Sequence, residues 1–112
     1  RDVLHIDDVC DIILIQIKKF HKINNDTFNI GGGKKSFVSL RELTDLCQKI
    51  TGNNVSIGKI LKTSNFDIPI YISNNKKVNK IYNWKPTKSI NQIVKDIYIW
   101  LSQNKKTWKY FK

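Results

Sequence analysis

Residues 28–36 read Phe-Asn-Ile-Gly-Gly-Gly-Lys-Lys-Ser, a β-prone end that runs into three glycines, two lysines and a serine. A glycine-rich turn between a strand and a helix lets backbone N–H groups approach an anion, and the helix N-terminus adds a favourable dipole. The nucleotide-binding spacings are nevertheless absent. A Walker loop requires glycine five residues before its Gly-Lys pair, whereas Phe28 stands five before Gly33 and Lys34 is followed by Lys35 rather than Ser or Thr. The dinucleotide pattern G-x-G-x-x-G fails at Ser36, where its third glycine would fall.

Upstream of the glycines, Val3 to Ile6 is a short strand candidate, and Asp7 and Asp8 are placed to cap a helix from about Val9 to Phe20. Apolar residues (Val9, Ile12, Ile13, Leu14, Ile15, Ile17) surround most of that helix, which predicts that it is mostly buried. The polar stretch His21 to Asp26 reads as a loop, and Thr27 to Ile30 is β-prone. Downstream, Ser39 and Glu42 fit a capping box, in which the serine hydroxyl accepts from the N3 amide and the glutamate accepts from the cap amide. The helix so opened sets Leu40, Leu43, Cys47 and Ile50 on one face and should stop at Gly52. Val55 to Leu61 has a strand as one reading. The stretch Asp67 to Ile72 is extended at least to Pro69, because proline restricts its predecessor. A short helix from about Asn74 to Tyr82 ends before Asn-Trp-Lys-Pro at 83–86. Ser89 and Gln92 then repeat the capping signature, opening a helix to about Gln103 with Ile90, Ile93, Val94, Ile97 and Leu101 inward. Strands and helices thus alternate, which points to an α/β or mixed fold of short strands and three to four helices.

At 112 residues the chain is one domain's worth, and 40% hydrophobic with 26% charged residues is a globular composition. The apolar run at Ile12 to Ile17 is too short to span a bilayer, and no secretory signal is visible, so a cytoplasmic setting without membrane contact is expected. Opening on Arg1 rather than Met, the chain is expected to be cut or processed. Cys10 and Cys47 lack metal-ligand spacing and are expected to be buried free thiols, and with His5 and His21 as the only histidines a metal centre is disfavoured. A net charge of +11 fits nucleic-acid binding, but nearly all the basic residues are lysines spread along the chain among Asn and Ile. That bias is what an AT-rich genome writes at tolerant surface positions. A solvated basic surface is the favoured reading, with a stand-alone nucleic-acid-binding module as the alternative.

The ordered set RDVLHIDD at 1–8, FNIGGG at 28–33, SLRELTDLCQKITG at 39–52, DIPIYISNNKKV at 67–78 and NWKP at 83–86 resembles the C-terminal part of extended short-chain dehydrogenase/reductases (Rossmann-type) that act on nucleotide-sugars. Each stretch alone is weak, but together they cover nearly the whole chain. The opening RDVLHIDDVCD and the triple glycine before Ser39-Leu40 look most like the branch that epimerises CDP-tyvelose. The resemblance implies that residues 1–112 are the substrate-binding part of an epimerase or dehydratase. A missing N-terminal Rossmann half would carry NAD and a Tyr-x-x-x-Lys pair, neither of whose motifs occurs here. It also implies a CDP- or UDP-sugar as substrate, a homodimer formed through the other half, and a chain that holds no catalytic or cofactor residue and does not turn over alone. FNIGGG then looks like a strand leaving the sheet through a tight structural turn beside the substrate cleft, with a phosphate contact through its amides or Lys34 as the lesser alternative.

Arg1 matches the arginine that, in relatives, pairs with the substrate diphosphate, and a guanidinium fork offers two parallel donors to phosphate. Asp67 and Tyr71 match an Asp-x-x-x-Tyr spacing that faces the nucleotide: the carboxylate accepts from a ribose hydroxyl and the ring supplies a wall. Relatives often carry an arginine three residues before that aspartate. Ser64 stands there, leaving Lys62 to substitute as a point charge. The Asp7 and Asp8 carboxylates are expected to be helix caps, His5 a packed and hydrogen-bonded residue, and Trp84, Trp100 and Trp108 core anchors.

Overall fold

The computed structural model describes residues 1–22, 26–58, 66 and 68–110. Its helices are α1 (Ile6–Lys18), α2 (Leu40–Thr51), α3 (Lys76–Tyr82) and α4 (Ile90–Gln103), with 3-10 turns at Phe20–Lys22, Gly33–Ser36 and Lys105–Tyr110. No strand occurs among the described residues; a single antiparallel bridge joins Asp2 to Phe37. None of the expected short strands of an α/β chain is therefore formed among the described residues. The reason lies in the missing ladders. Residues 1–3 meet 36–38 and Tyr71 through isolated bonds such as Val3 N–H to Ser36 O at 3.0 Å and Asp2 N–H to Tyr71 O at 3.2 Å. A strand needs a neighbour that satisfies its N–H and C=O groups along its length. Residues 55–58 form none either, and 59–61 lie outside the described residues.

The helix ends follow local chemistry. At Ser39 the capping box is complete, with Glu42 N–H donating to the serine Oγ at 3.2 Å and Ser39 N–H to Glu42 Oε2 at 2.8 Å. Those contacts with the Ser39 hydroxyl and amide hold the Glu42 carboxyl below its ordinary value. Gly52 closes α2 in the left-handed region at φ 74°. Ser89 caps α4 by accepting from Gln92 N–H, but the Gln92 side chain turns forward to Asp96 Oδ1 at 2.7 Å and not back to the cap. Helix α1 begins earlier than expected. Its cap is His5, whose Nδ1 accepts from Asp7 N–H at 3.0 Å, and neither Asp7 nor Asp8 serves.

The main core is Ile12, Val78, Tyr82 and Trp84, with Leu4, Ile15 and Phe28 packed against it. Phe28 meets Tyr82 edge-on at 5.2 Å. On α4 only Ile93 and Val94 are buried. Burial is otherwise thinner than the apolar patterning predicts: on α1 Ile13, Leu14 and Ile17 are exposed, on α4 Ile97 and Trp100 are exposed, and Cys10 is exposed rather than buried. The radius of gyration is 17.2 Å, against roughly 13 Å for a compact domain of this length. Among the described residues, apolar faces of α1 and α4 are thus left uncovered. Trp84 is the anchor that was expected, whereas Trp100 is not.

Candidate functional site

Three of the stretches singled out in the sequence, at 1–8, 28–33 and 67–78, converge on Asp2. Its Oδ2 accepts from Gly33 N–H at 2.8 Å and from Ser73 N–H at 3.2 Å. Burial pushes this carboxyl up, but the bonds from the Gly33 amide and from the Ser73 amide and hydroxyl outweigh it and hold it below its ordinary value. Alongside, the Asn75 side chain clamps both backbone polar groups of Gly31, accepting from its N–H at 3.1 Å and donating to its carbonyl at 2.7 Å.

This knot explains the glycines. A Cβ on Gly31 would lie 2.5 Å from Ser73 Cβ and 2.6 Å from Asp2 Oδ2, and one on Gly32 would run into the Val3 carbonyl. Gly33 takes φ 63° to turn the chain into the 3-10 segment. The amides of Gly31 and Gly33 are already spent on Asn75 and Asp2, the latter an anion itself. The loop is thus a tight turn whose Gly31 and Gly33 amides are not open to a phosphate.

A second knot positions α1 against the entry to α4. Asp8 is buried, and its carboxylate accepts from Thr87 N–H at 3.0 Å, Thr87 Oγ1 at 2.7 Å and Lys88 N–H at 3.2 Å. The Trp84 indole N–H donates to the Asp8 carbonyl at 3.1 Å. Burial raises the Asp8 carboxyl, yet the Thr87 hydroxyl and amide, the Lys88 amide and nearby His5 together lower it. His5 is packed as expected, with Nε2 at 3.4 Å from Asp96 Oδ2 on α4.

Of the residues expected to hold substrate, Arg1 and Tyr71 lie on backbone segments that meet at Asp2. Asp2 N–H bonds to the Tyr71 carbonyl, both side chains are exposed, and Arg1 Nη2 reaches the Ile68 carbonyl at 3.5 Å. Lys62, Asp67 and Ser64 lie outside the described residues. Asp2 and Asn75, which assemble the region, were missed by sequence reasoning. Asp2 had a signal, its fixed place beside Arg1 in the opening motif; Asn75 had none. A depression of about 570 Å³ opens beside the knot, lined among the described residues by Gly33, Lys34, Ile72, Ser73, Asn74, Asn75, Lys76, Asn79, Trp84 and Lys85. No group of three His, Cys, Asp or Glu among the described residues is placed to hold a metal ion, and no helix there is long and apolar enough to cross a membrane.

Curated proteins similar to the chain are nucleotide-sugar epimerases by name, so the resemblance drawn from its motifs is borne out. CDP-paratose 2-epimerase of Salmonella typhi is 28% identical over 102 residues, covering 91% of this chain and 30% of that protein. UDP-glucuronate 4-epimerase of Thermodesulfobacterium geofontis is 24% identical over 93% of the chain and 31% of its own length. UDP-glucose 4-epimerase of Mycoplasma pneumoniae is 27% identical over 86% of the chain and 29% of its own length. The chain thus spans about 30% of the length of the curated relatives it matches. No family model matches it.

Proposed function

We propose that residues 1–112 form the substrate-holding part of an NAD-dependent nucleotide-sugar epimerase acting on a CDP-sugar. The observation that carries this reading is the match to sugar-nucleotide epimerases along 91% of the chain but only 30% of the relative's length. The uncovered apolar faces of α1 and α4 support it, since they suit a further layer supplied by the remainder of such an enzyme. In this reading Arg1 grips the diphosphate, Tyr71 walls the nucleoside, and Asp67 and Lys62 complete the contacts. Binding energy is thereby used to orient the sugar.

The cofactor does not fit the residues present. The only glycine-rich turn has its Gly31 and Gly33 amides engaged by side chains, so they are not free to cradle the pyrophosphate of a dinucleotide. NAD is accordingly assigned to residues outside this chain, which alone is inactive. Hydride removal and return is the chemistry NAD supplies when bound. The intact enzyme is a cytoplasmic homodimer in this reading, paired through its Rossmann half.

Calorimetric titration of the intact protein with CDP-sugar, UDP-sugar and a single-stranded oligonucleotide, at low and high salt, tests the reading. Saturable binding of a nucleotide-sugar with epimerisation by the intact protein, and no turnover by residues 1–112, is the expected result. Steeply salt-dependent oligonucleotide binding without nucleotide-sugar binding overturns it in favour of a basic nucleic-acid module.

A further inference from the structure

The depression beside the Gly33 turn gathers three lysines from three segments. Lys34 lies on the 3-10 turn, Lys76 opens α3, and Lys85 follows Trp84. Ion pairs form at neighbouring lysines, Lys77 with Asp26 and Lys88 with Asp7. Lys34, Lys76 and Lys85 have no acidic partner among the described residues. Asp2 lies behind the Gly33 turn, and its carboxylate is already met by the Gly33 and Ser73 amides. Like charges brought to one concavity repel unless an anion joins them, and apolar walls focus their field into the cavity. Trp84 supplies such a wall, and Asn74 and Asn79 add amide groups at the side. A volume of about 570 Å³ falls within the usual range for small-ligand sites.

We propose that this groove binds a compact phosphorylated anion, with Lys34, Lys76 and Lys85 as converging point charges and Trp84 as the floor. Neither Arg1 nor Tyr71 lines the groove, so the site does not depend on the substrate contacts given to them. Lysine ammoniums suit a ligand whose phosphates sit in several orientations, since none imposes the planar fork of arginine.

The probe is inorganic pyrophosphate, titrated into the intact protein while the amide resonances of 33–34 and 73–79 and the Trp84 indole are followed by NMR. Saturable shifts confined to those positions are expected, with Kd raised about tenfold in K34Q/K76Q/K85Q. The control K18Q/K49Q/K95Q removes equal charge from exposed helix positions and should change Kd by less than about twofold. All six lysines are exposed, so both variants retain the fold. Equal loss in the two variants, or the absence of saturable shifts in the unaltered protein, overturns the proposal.

Discussion

Asp8 holds Thr87 through two hydrogen bonds to one carboxylate oxygen, from the amide at 3.0 Å and from the hydroxyl at 2.7 Å, although 79 positions separate them. With Lys88 N–H on the second oxygen, the buried carboxylate ties the first turn of α1 to the approach to α4. Asp8→Ala would leave these part-buried donors without their acceptor. The expected cost is about 3 kcal/mol of unfolding free energy, since bonds to a charged group count for more than neutral ones. Thr87→Val should cost about 1 kcal/mol. Urea unfolding of both singles and the double should show the double well short of their sum; strict additivity would mean that the two residues act independently.

Stability should fall in acid through the same carboxylates. Asp2 and Asp8 are both held below the ordinary range in the folded state. Their contribution is therefore fully present above the unfolded carboxylate value, about 3.9. It disappears as pH falls through the lowered folded values, because the unfolded chain then takes up protons that the folded chain refuses. Urea midpoints should be flat for these groups from neutral pH down to about 5 and drop below about 4. In Asp8→Asn the drop should be shallower. An equally steep drop in that variant would assign the acid sensitivity elsewhere.

Local chemistry was the legible part of the fold. Ser39, Glu42, Gly52 and Ser89 specify helix ends through contacts within a few residues, and the helices end where those residues stand. Asp7 and Asp8 were misread because a short acidic pair before an apolar run resembles a cap, while the competing acceptor was the His5 ring and the true partners of Asp8 were 79 and 80 positions away. The strands were misjudged for a related reason. Thr27–Ile30 and Val3–Ile6 have strand-forming side chains, but a ladder is a property of two segments, and periodicity reports only one. The burial of α1 was overestimated on the same ground: an apolar face reports one segment's pattern, not whether another segment of this chain packs on it. At the candidate site, Arg1 and Tyr71 were singled out through a motif, while Asn75 acts through bonds to the Gly31 backbone that leave no trace in spacing.

The glycines give a contrast between crowding and backbone strain. At Gly31 an added methyl meets Ser73 and the Asp2 carboxylate, both fixed by their own hydrogen bonds. At Gly52 nothing lies within 4 Å, but φ is 74°. Gly31→Ala should cost about 3 kcal/mol, the upper range for overpacking. Gly52→Ala should cost about 1 kcal/mol, the left-handed penalty alone. Ser73→Gly placed with Gly31→Ala should recover part of the loss, whereas it has no contact with Gly52 and should not help Gly52→Ala. Thermal or urea unfolding of the four variants decides it, and equal costs for the two single glycine substitutions would refute the distinction.

Arg1 separates binding from stability. Its side chain is exposed, and Nη2 lies 3.5 Å from the Ile68 carbonyl. Arg1→Lys keeps the charge and loses the fork, so the unfolding free energy should change by no more than about 0.5 kcal/mol. If the guanidinium grips a diphosphate through two parallel donors, nucleotide-sugar affinity of the intact protein should fall about tenfold, because charge-assisted bidentate bonds are among the stronger ones. Tyr71→Phe, which retains the ring and removes the hydroxyl, should weaken binding less. Calorimetric titration with a CDP-sugar, run beside urea unfolding of each variant, reads both quantities. Unchanged affinity in Arg1→Lys would remove Arg1 from the diphosphate and leave the phosphate contact to other residues.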